Sequence, residues 1–365
     1  MHDNKSVQLS NHLFLATHPS SSIDDQSSVI GGRSSVVSRR ASGVGRRASG
    51  GVIGTRKSKL ALAQSEMMRA ALIEAHPGLA VELELITTKG DMILDRPLSA
   101  VGDKGLFVTE IEDAMREGRV DLAVHSAKDL PSELPPDMTL AATPCRADPR
   151  DALISRHGLR LIDLPQGARV GTSSLRRACQ LRYLRPDLEL ADLRGNVDTR
   201  LRKLHEGQYD AIVLAAAGLL RLNLEHEISE ILEPDVMIPA VSQGALGIEA
   251  RAGDERMAEL LATLDDPSTR IAVTAERAFL AQIGGGCQVP VGAYARLNDN
   301  TLTLIGMIGS RDKHSHNGTN GSSNGPNAPP VQIVRGHMSG PASDPALLGL
   351  RLAEELLANG GQALL

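Results

Sequence analysis

The chain of 365 residues contains no tryptophan, three tyrosines and three phenylalanines. With aromatics at 2%, a nucleic-acid surface built on base stacking has almost nothing to stack with. Cysteine is as scarce. Cys145, Cys179 and Cys287 stand far apart, which gives neither a disulfide framework nor a zinc-ligand spacing and suits a reducing compartment. No apolar run approaches the length of a membrane span. A large charge excess is missing too. The formal net charge is −5, so the basic clusters described below sit on a mildly acidic protein and favour small polyanions over a nucleic acid. What is present is ordinary: 41% hydrophobic residues can build a core, and the length suits two or three domains. A soluble, intracellular protein is expected.

Residues 1–50 are rich in Ser, Arg and Gly without periodicity, a composition expected to be disordered. No apolar stretch bounded by a cleavage site marks a secretory signal. Residues 26–50 lack acids, as an organelle transit peptide would, but Asp3, Asp24 and Asp25 weaken that reading. Arg39-Arg40-Ala41-Ser42 recurs as Arg46-Arg47-Ala48-Ser49, either a kinase site or a duplicated basic patch in a tail.

From Gly51 onward, strand and helix signals alternate. Strands are predicted over 52–55, 81–87 and 120–124, with helices beginning after Ser58 and over 109–117. A second run places strands over 168–172, 188–193 and 209–215, and helices over 174–184, 197–206 and 217–222. This β-α-β alternation predicts mainly parallel sheets with helices on their faces. Residues 239–245 read as a crossing back to the first unit. Helices over 257–264 and 271–282, strands over 291–297 and 302–306, and a closing helix over 345–357 make a smaller third unit. Its 310–330 stretch, rich in Gly, Asn, Ser and Pro, is expected to be a disordered loop. His314 and His316 lie there without companion ligands for a metal. The fold class is therefore α/β. Residues 1–50 form a tail, 51–146 with 243–264 a first domain, 147–242 a second and 265–365 a third.

Four clusters place chemistry-bearing side chains at the ends of strands or in loops. Gly54-Thr55-Arg56-Lys57-Ser58 combines helix N–H groups, hydroxyls and a guanidinium, which makes either an anion site or a capped helix with a solvated Arg. Lys104-Gly105-Leu106-Phe107, after Gly102, reads as a mobile lid or as a flexible loop with a surface charge. In Val124-His125-Ser126-Ala127-Lys128-Asp129-Leu130-Pro131 a buried strand runs into Ser, Lys and Asp at the end where α/β proteins bind ligands. A carboxylate there can accept N–H groups and stabilise a cation forming beside it. The alternative is a turn-forming ion pair, and His125 fits a satisfied core histidine. Gly171-Thr172-Ser173-Ser174-Leu175-Arg176-Arg177 joins hydroxyls, helix N–H groups and adjacent Arg side chains, a carboxylate- or phosphate-binding pattern. Arg194-Gly195-Asn196, Arg200 and Arg221 follow at the next junctions. Two α/β units facing each other across an anion-lined cleft account for that recurrence.

Gly284-Gly285-Gly286-Cys287-Gln288-Val289-Pro290-Val291-Gly292 adds a thiol on a bare loop. The glycines reach backbone conformations closed to other residues, and Pro290 stiffens the exit. Taken alone, the stretch fits a tight turn around a small buried Cys. No His or second Cys accompanies it, which argues against thiol-protease-like catalysis and leaves an anchoring role open for Cys287.

These stretches together resemble the porphobilinogen deaminase (hydroxymethylbilane synthase) family over essentially all of residues 51–365. The matching segments are IGTRKSKLALAQ, TTKGDMILDRPLSAVGDKGLFVTEIE, AVHSAKDLP, DPRDALIS, GTSSLRRACQL, LRGNVDTRL, AAAGLLRL, PAVSQGALGIE and ERAFLAQIGGGCQVPVGAYA. The resemblance implies two domains like those of type II periplasmic binding proteins plus a small α/β domain carrying the Cys. It implies a dipyrromethane cofactor held by a thioether to Cys287. It also implies stepwise addition of four porphobilinogen units with loss of ammonia, then hydrolysis to hydroxymethylbilane. Asp129 matches the family's catalytic carboxylate. Lys104, Ser126, Lys128, Asp129, Thr172, Ser174, Arg176 and Arg177 match cofactor contacts, and Arg56, Ser58, Arg194, Arg200 and Arg221 match substrate-binding positions. The partners implied are porphobilinogen and, for product hand-off, uroporphyrinogen-III synthase, with no metal, nucleic acid or membrane, in a cytoplasmic monomer. Ser242 and Ala127 depart from the pattern, where Gly and Met are expected.

Two other readings compete. A two-domain anion-binding protein without chemistry accounts for the Arg and Ser clusters but not for Cys287 or a third domain. A nucleic-acid-binding module conflicts with the acidic charge and the scarcity of aromatics.

Overall fold

The alternation of short buried strands and capped helices closes into three sheets. The computed structural model describes residues 50–92, 108–284, 289–310 and 331–365. The tail, the RRAS repeats, Lys104, Phe107, Cys287, His314 and His316 lie outside the described residues.

The first lobe runs β1 (Gly50–Arg56), α1 (Lys59–Ala75), β2 (Ala80–Ile86), α2 (Thr109–Arg116), β3 (Leu122–Ser126) and β4 (Met138–Ala142). The second runs β5 (Asp151–Ser155), β6 (Arg169–Gly171), α3 (Leu175–Leu184), β7 (Glu189–Ala191), α4 (Val197–His205), β8 (Ala211–Ala215), α5 (Ala216–Leu220) and β9 (Glu230–Leu232). The chain then returns to the first lobe as β10 (Leu246–Arg251). The sheet orders are β2-β1-β3-β10-β4 and β7-β6-β8-β5-β9. In each, three strands are parallel, as expected, but β10 runs antiparallel to β3 and β4, and β5 antiparallel to β8 and β9. The reversed strand is in both cases the first one after the chain crosses between lobes. It enters at the carboxyl ends of its neighbours without a helical crossover, so it must run away from them. Two similar α/β lobes are what the resemblance implies.

After α6 (Glu255–Ala262), the long helix α7 (Pro267–Ile283) leads into a third unit. Its antiparallel sheet is β11 (Val291–Asn298), β12 (Thr301–Gly309) and β13 (Ile333–Pro341), closed by α8 (Pro345–Ala358). Phe279, Leu304, Leu352 and Leu356 are fully buried between the helices and the sheet. The helices touch closely: a Cβ on Gly349 would lie 2.2 Å from the Ala275 carbonyl oxygen. The strand β13 is not predicted from the sequence, because Gly336, Gly340 and Pro341 dilute its strand signal.

Candidate active site

The turns that follow the strands deliver the clustered polar side chains. In β3 the run Leu122–Val124 is buried on both faces, so its backbone direction is fixed by the core. Beyond Ser126, a single 3-10 turn spans Ala127–Asp129. Ala127 and Leu130 point into the core, which leaves Lys128 and Asp129 to face the cleft. Asp129 is exposed, and among the described residues nothing hydrogen-bonds or ion-pairs its carboxylate. Lys128 is crowded by protein, and desolvation pushes its pKa down to about 8, against the opposing pull of Asp129. Its ammonium donates to Gln243 Oε1 at 3.4 Å. Ser126 Oγ accepts from Gln64 Nε2 at 3.0 Å.

On the second lobe Ser174 caps α3 by accepting from the Arg177 amide, and Thr172 Oγ1 accepts from the Ser174 amide. The capped first turn of α3 then presents Arg176 and Arg177. Both are buried and both bind Asp151, the first residue of the reversed strand β5. Arg176 Nη1 reaches Asp151 Oδ2 at 2.7 Å and the Ile238 carbonyl at 2.6 Å. Arg177 donates through Nε at 2.9 Å and Nη2 at 2.7 Å to Asp151 Oδ1, and through Nη1 to the Val213 carbonyl. Gln243 Nε2 adds a further bond to Asp151 Oδ1 at 2.9 Å. Burial alone would raise the Asp151 pKa, but the two guanidiniums outweigh it and hold the carboxyl well below the usual range.

Around this core stand more cations. Arg200 Nε donates to the Gly195 carbonyl at 2.7 Å, and desolvation plus repulsion from Arg177 and Arg194 lowers its pKa to about 10. The turn before it needs glycine: Gly195 has φ 114, and a Cβ there would lie 2.6 Å from Thr199 Cγ2. Arg221 Nη2 donates to the Gly244 carbonyl of the crossing segment at 2.7 Å, and burial lowers its pKa to about 10. Arg56 ends β1 half-buried. Ser58 caps α1 by accepting from the Ala61 amide at 3.2 Å.

The structure thus brings Lys128, Asp129, Arg176, Arg177, Arg194 and Arg200 within electrostatic reach of one another. Gly292, at the start of β11, reaches the same place. A Cβ on Gly292 would lie 3.0 Å from Arg176 Cδ and 2.8 Å from the Pro239 carbonyl oxygen. Sequence reasoning missed Asp151, Gln243 and Gly244. The signal for Asp151 is an acid opening a buried strand in a chain with clustered arginines, since a fully buried carboxylate must have cationic partners.

A group carrying several carboxylates, as a dipyrromethane does, fits this donor set. The cations outnumber the two carboxylates, and Arg176 Nε and Arg221 Nε are buried without a partner among the described residues. Burial is the first cause of the lowered pKa values on Lys128, Arg200 and Arg221, and at Lys128 and Arg200 repulsion from neighbouring arginines adds to it, so positive charge already stripped of water faces an incoming anion. That is the electrostatic imprint of an anion site.

Comparison with known proteins identifies what shares these features. The family model for the porphobilinogen deaminase dipyromethane cofactor binding domain matches residues 52–259, and that for the porphobilinogen deaminase C-terminal domain matches residues 270–358. A porphobilinogen deaminase of Roseiflexus castenholzii is 69% identical over 313 residues, covering 86% of this chain and 97% of the relative. One from Syntrophotalea carbinolica is 51% identical, covering 86% and 94%. Among solved structures, the periplasmic aliphatic sulphonate binding protein SsuA from Escherichia coli is 15% identical with a TM-score of 0.35, covering 64% and 70%. The chain belongs to the porphobilinogen deaminase family, transferases that build hydroxymethylbilane from porphobilinogen on a dipyrromethane cofactor.

Proposed function

We propose that the cleft between the two lobes adds four porphobilinogen units in turn to a primer anchored on Cys287, with Asp129 as the catalytic carboxylate. The observation that carries this reading is the exposed Asp129 carboxylate, which makes no hydrogen bond or ion pair among the described residues and stands within electrostatic reach of Lys128 and Arg200. Once bound, the dipyrromethane supplies the electron-rich pyrrole carbon to which the first unit is joined.

The residues then have separable work. Porphobilinogen carries an acetate and a propionate, which Arg56, Ser58, Arg194, Arg200 and Arg221 bind. Lys104, Ser126, Lys128, Thr172, Ser174, Arg176 and Arg177 hold the primer side. The substrate aminomethyl group is protonated at neutral pH, so ammonia leaves as the neutral molecule and its positive charge passes to the pyrrole. Asp129 accepts the pyrrole N–H and offsets that charge. Opposite charges about 4 Å apart near a protein surface attract by about 4 kcal/mol, worth roughly a thousandfold in rate. Joining the unit to the primer would release one proton, which the departed ammonia takes up as ammonium.

In this reading 51–146 with 243–264, 147–242 and 265–365 are the three domains. The chain acts as a cytoplasmic monomer that passes its product to uroporphyrinogen-III synthase. Among the described residues no helix is long and apolar enough to cross a membrane.

The test is the intact mass of the purified protein beside Cys287→Ala. Wild type should be heavier by two porphobilinogen units less two ammonias, and the variant should have its bare sequence mass. Equal adduct-free masses after incubation with porphobilinogen would leave an anion-binding relative without the reaction.

A further inference from the structure

We infer that Arg277 is a positioning residue for the Asp129 carboxylate, whose turn helix α7 holds on both sides. The inference rests on the role proposed above for Asp129.

The helix α7 ends at Gly284, whose φ of 69 breaks it, three residues ahead of Cys287. The same helix grips the Asp129 turn on both sides. Val273 packs in a small buried cluster with Ala127 and Ala245. One turn further along the same face, Arg277 Nη2 donates to the Pro131 carbonyl at 2.7 Å and the Ser132 carbonyl at 2.8 Å. Ala127 and Pro131 each stand two residues from Asp129, so the carboxylate is clamped between the two contacts.

Apart from the buried Leu130 side chain, few polar contacts fix the exit of the turn among the described residues. Its internal bond, Leu130 N to the Ala127 carbonyl, is 3.3 Å long, and Pro131 has no N–H to give. Arg277 is itself held. Burial disfavours its charge, and Glu249 on β10 opposes that by attraction. Glu249 is fully buried and also bonds His125 Nε2 at 3.0 Å, on the strand that feeds the turn. His125, expected to be a satisfied core histidine, thus joins Glu249 and Arg277 as the support beneath Asp129. None of the three lies among the proposed substrate contacts.

The experiment is a double-mutant cycle in the full-length, dipyrromethane-loaded enzyme, with loading checked by intact mass. Arg277→Ala should lower kcat on the order of tenfold to a hundredfold, the scale set by misplacing a reacting group by about 1 Å, with KM for porphobilinogen essentially kept. Arg277→Lys should recover part of the loss, because an ammonium can still reach one carbonyl. In an Asp129→Asn background, Arg277→Ala should cost little further, since the group it positions is already disabled. Additive losses in the cycle would overturn the inference, as would a kcat near wild type in the loaded single variant or a loss carried by KM alone. Should Arg277→Ala fail to fold, the same criteria apply to Arg277→Lys. If wild type itself makes no hydroxymethylbilane, it is the functional reading that falls.

Discussion

Asp129 and Asp151 are carboxylates that interact with the same arginine cluster, and their surroundings are opposite. Asp129 is exposed, with no hydrogen-bond or ion-pair partner among the described residues. Asp151 is fully buried and accepts from Arg176, Arg177 and Gln243. A carboxylate that must meet a cation arriving with each substrate keeps its lone pairs free. One that must hold two guanidiniums in a fixed orientation commits them to the protein. Gln243 stands between the two, giving Nε2 to Asp151 and taking the Lys128 ammonium on Oε1. In the mechanism proposed above, one lobe reacts, the other is braced, and the crossing segment ties them.

Isosteric substitutions should separate the two roles. Asp151→Asn leaves two buried guanidiniums without their counter-ion and should destabilise the protein by about 3–5 kcal/mol, the usual cost of breaking a buried ion pair. A melting temperature lowered by roughly 10 °C and poor dipyrromethane loading by mass are the expected readouts. Asp129→Asn should do the reverse, with stability within about 0.5 kcal/mol of wild type, as for other exposed sites. Its turnover should fall on the order of a thousandfold, since the amide cannot offset the departing ammonia's charge. A stable Asp151→Asn or an active Asp129→Asn would erase the distinction.

The Asp129 side of this contrast was legible in the sequence and the Asp151 side was not. Glycines, hydroxyls and arginines crowd into βα turns for local reasons that a sequence displays, as at Ser58, a predicted cap that does cap, and at Ser174, predicted to open a helix that it caps. Strand direction is not local. Nothing in residues 151–155 or 246–251 tells that β5 and β10 run backwards, because that follows from where the chain crosses. Arg176 and Arg177 read as anion ligands, but the carboxylate that braces them, Asp151, stands 25 and 26 residues away. Pairing at that separation is set by the sheet order, not by any neighbouring residue.

A smaller effect should come from Ser242, immediately before Gln243 in the crossing. The expected residue there is Gly, and the structure gives the reason: Ser242 has φ 61, a left-handed conformation that disfavours a side chain. Its hydroxyl is also buried with no partner among the described residues. Ser242→Gly relieves the backbone strain and removes the orphaned hydroxyl, each worth about 1–3 kcal/mol, against about 1 kcal/mol for glycine's freedom when unfolded. The net expectation is about 1–5 kcal/mol of stabilisation, read from chemical denaturation, with kcat unchanged because Gln243 keeps its place. A destabilised variant would show that the serine hydroxyl has a stabilising partner after all.

The finest test concerns pH, and it sets stability against binding at a single residue. Desolvation holds the folded pKa of Lys128 near 8, below the unfolded value near 10.5. Between those values the unfolded chain binds more protons than the folded one, so this group's contribution to stability rises with pH across that window. Anion binding should move the other way, because a neutral amine cannot pair with a carboxylate. In adduct-free Cys287→Ala protein, porphobilinogen affinity measured by calorimetry should weaken above pH 8, by at most about tenfold per pH unit for one proton, while the ligand-free protein grows more resistant to urea. Lys128→Met in that background should flatten both trends. If affinity and stability instead fall together above pH 8, the titrating group is a structural ion pair elsewhere, and the cleft's cations act as a fixed charge with Lys128 as one equal member.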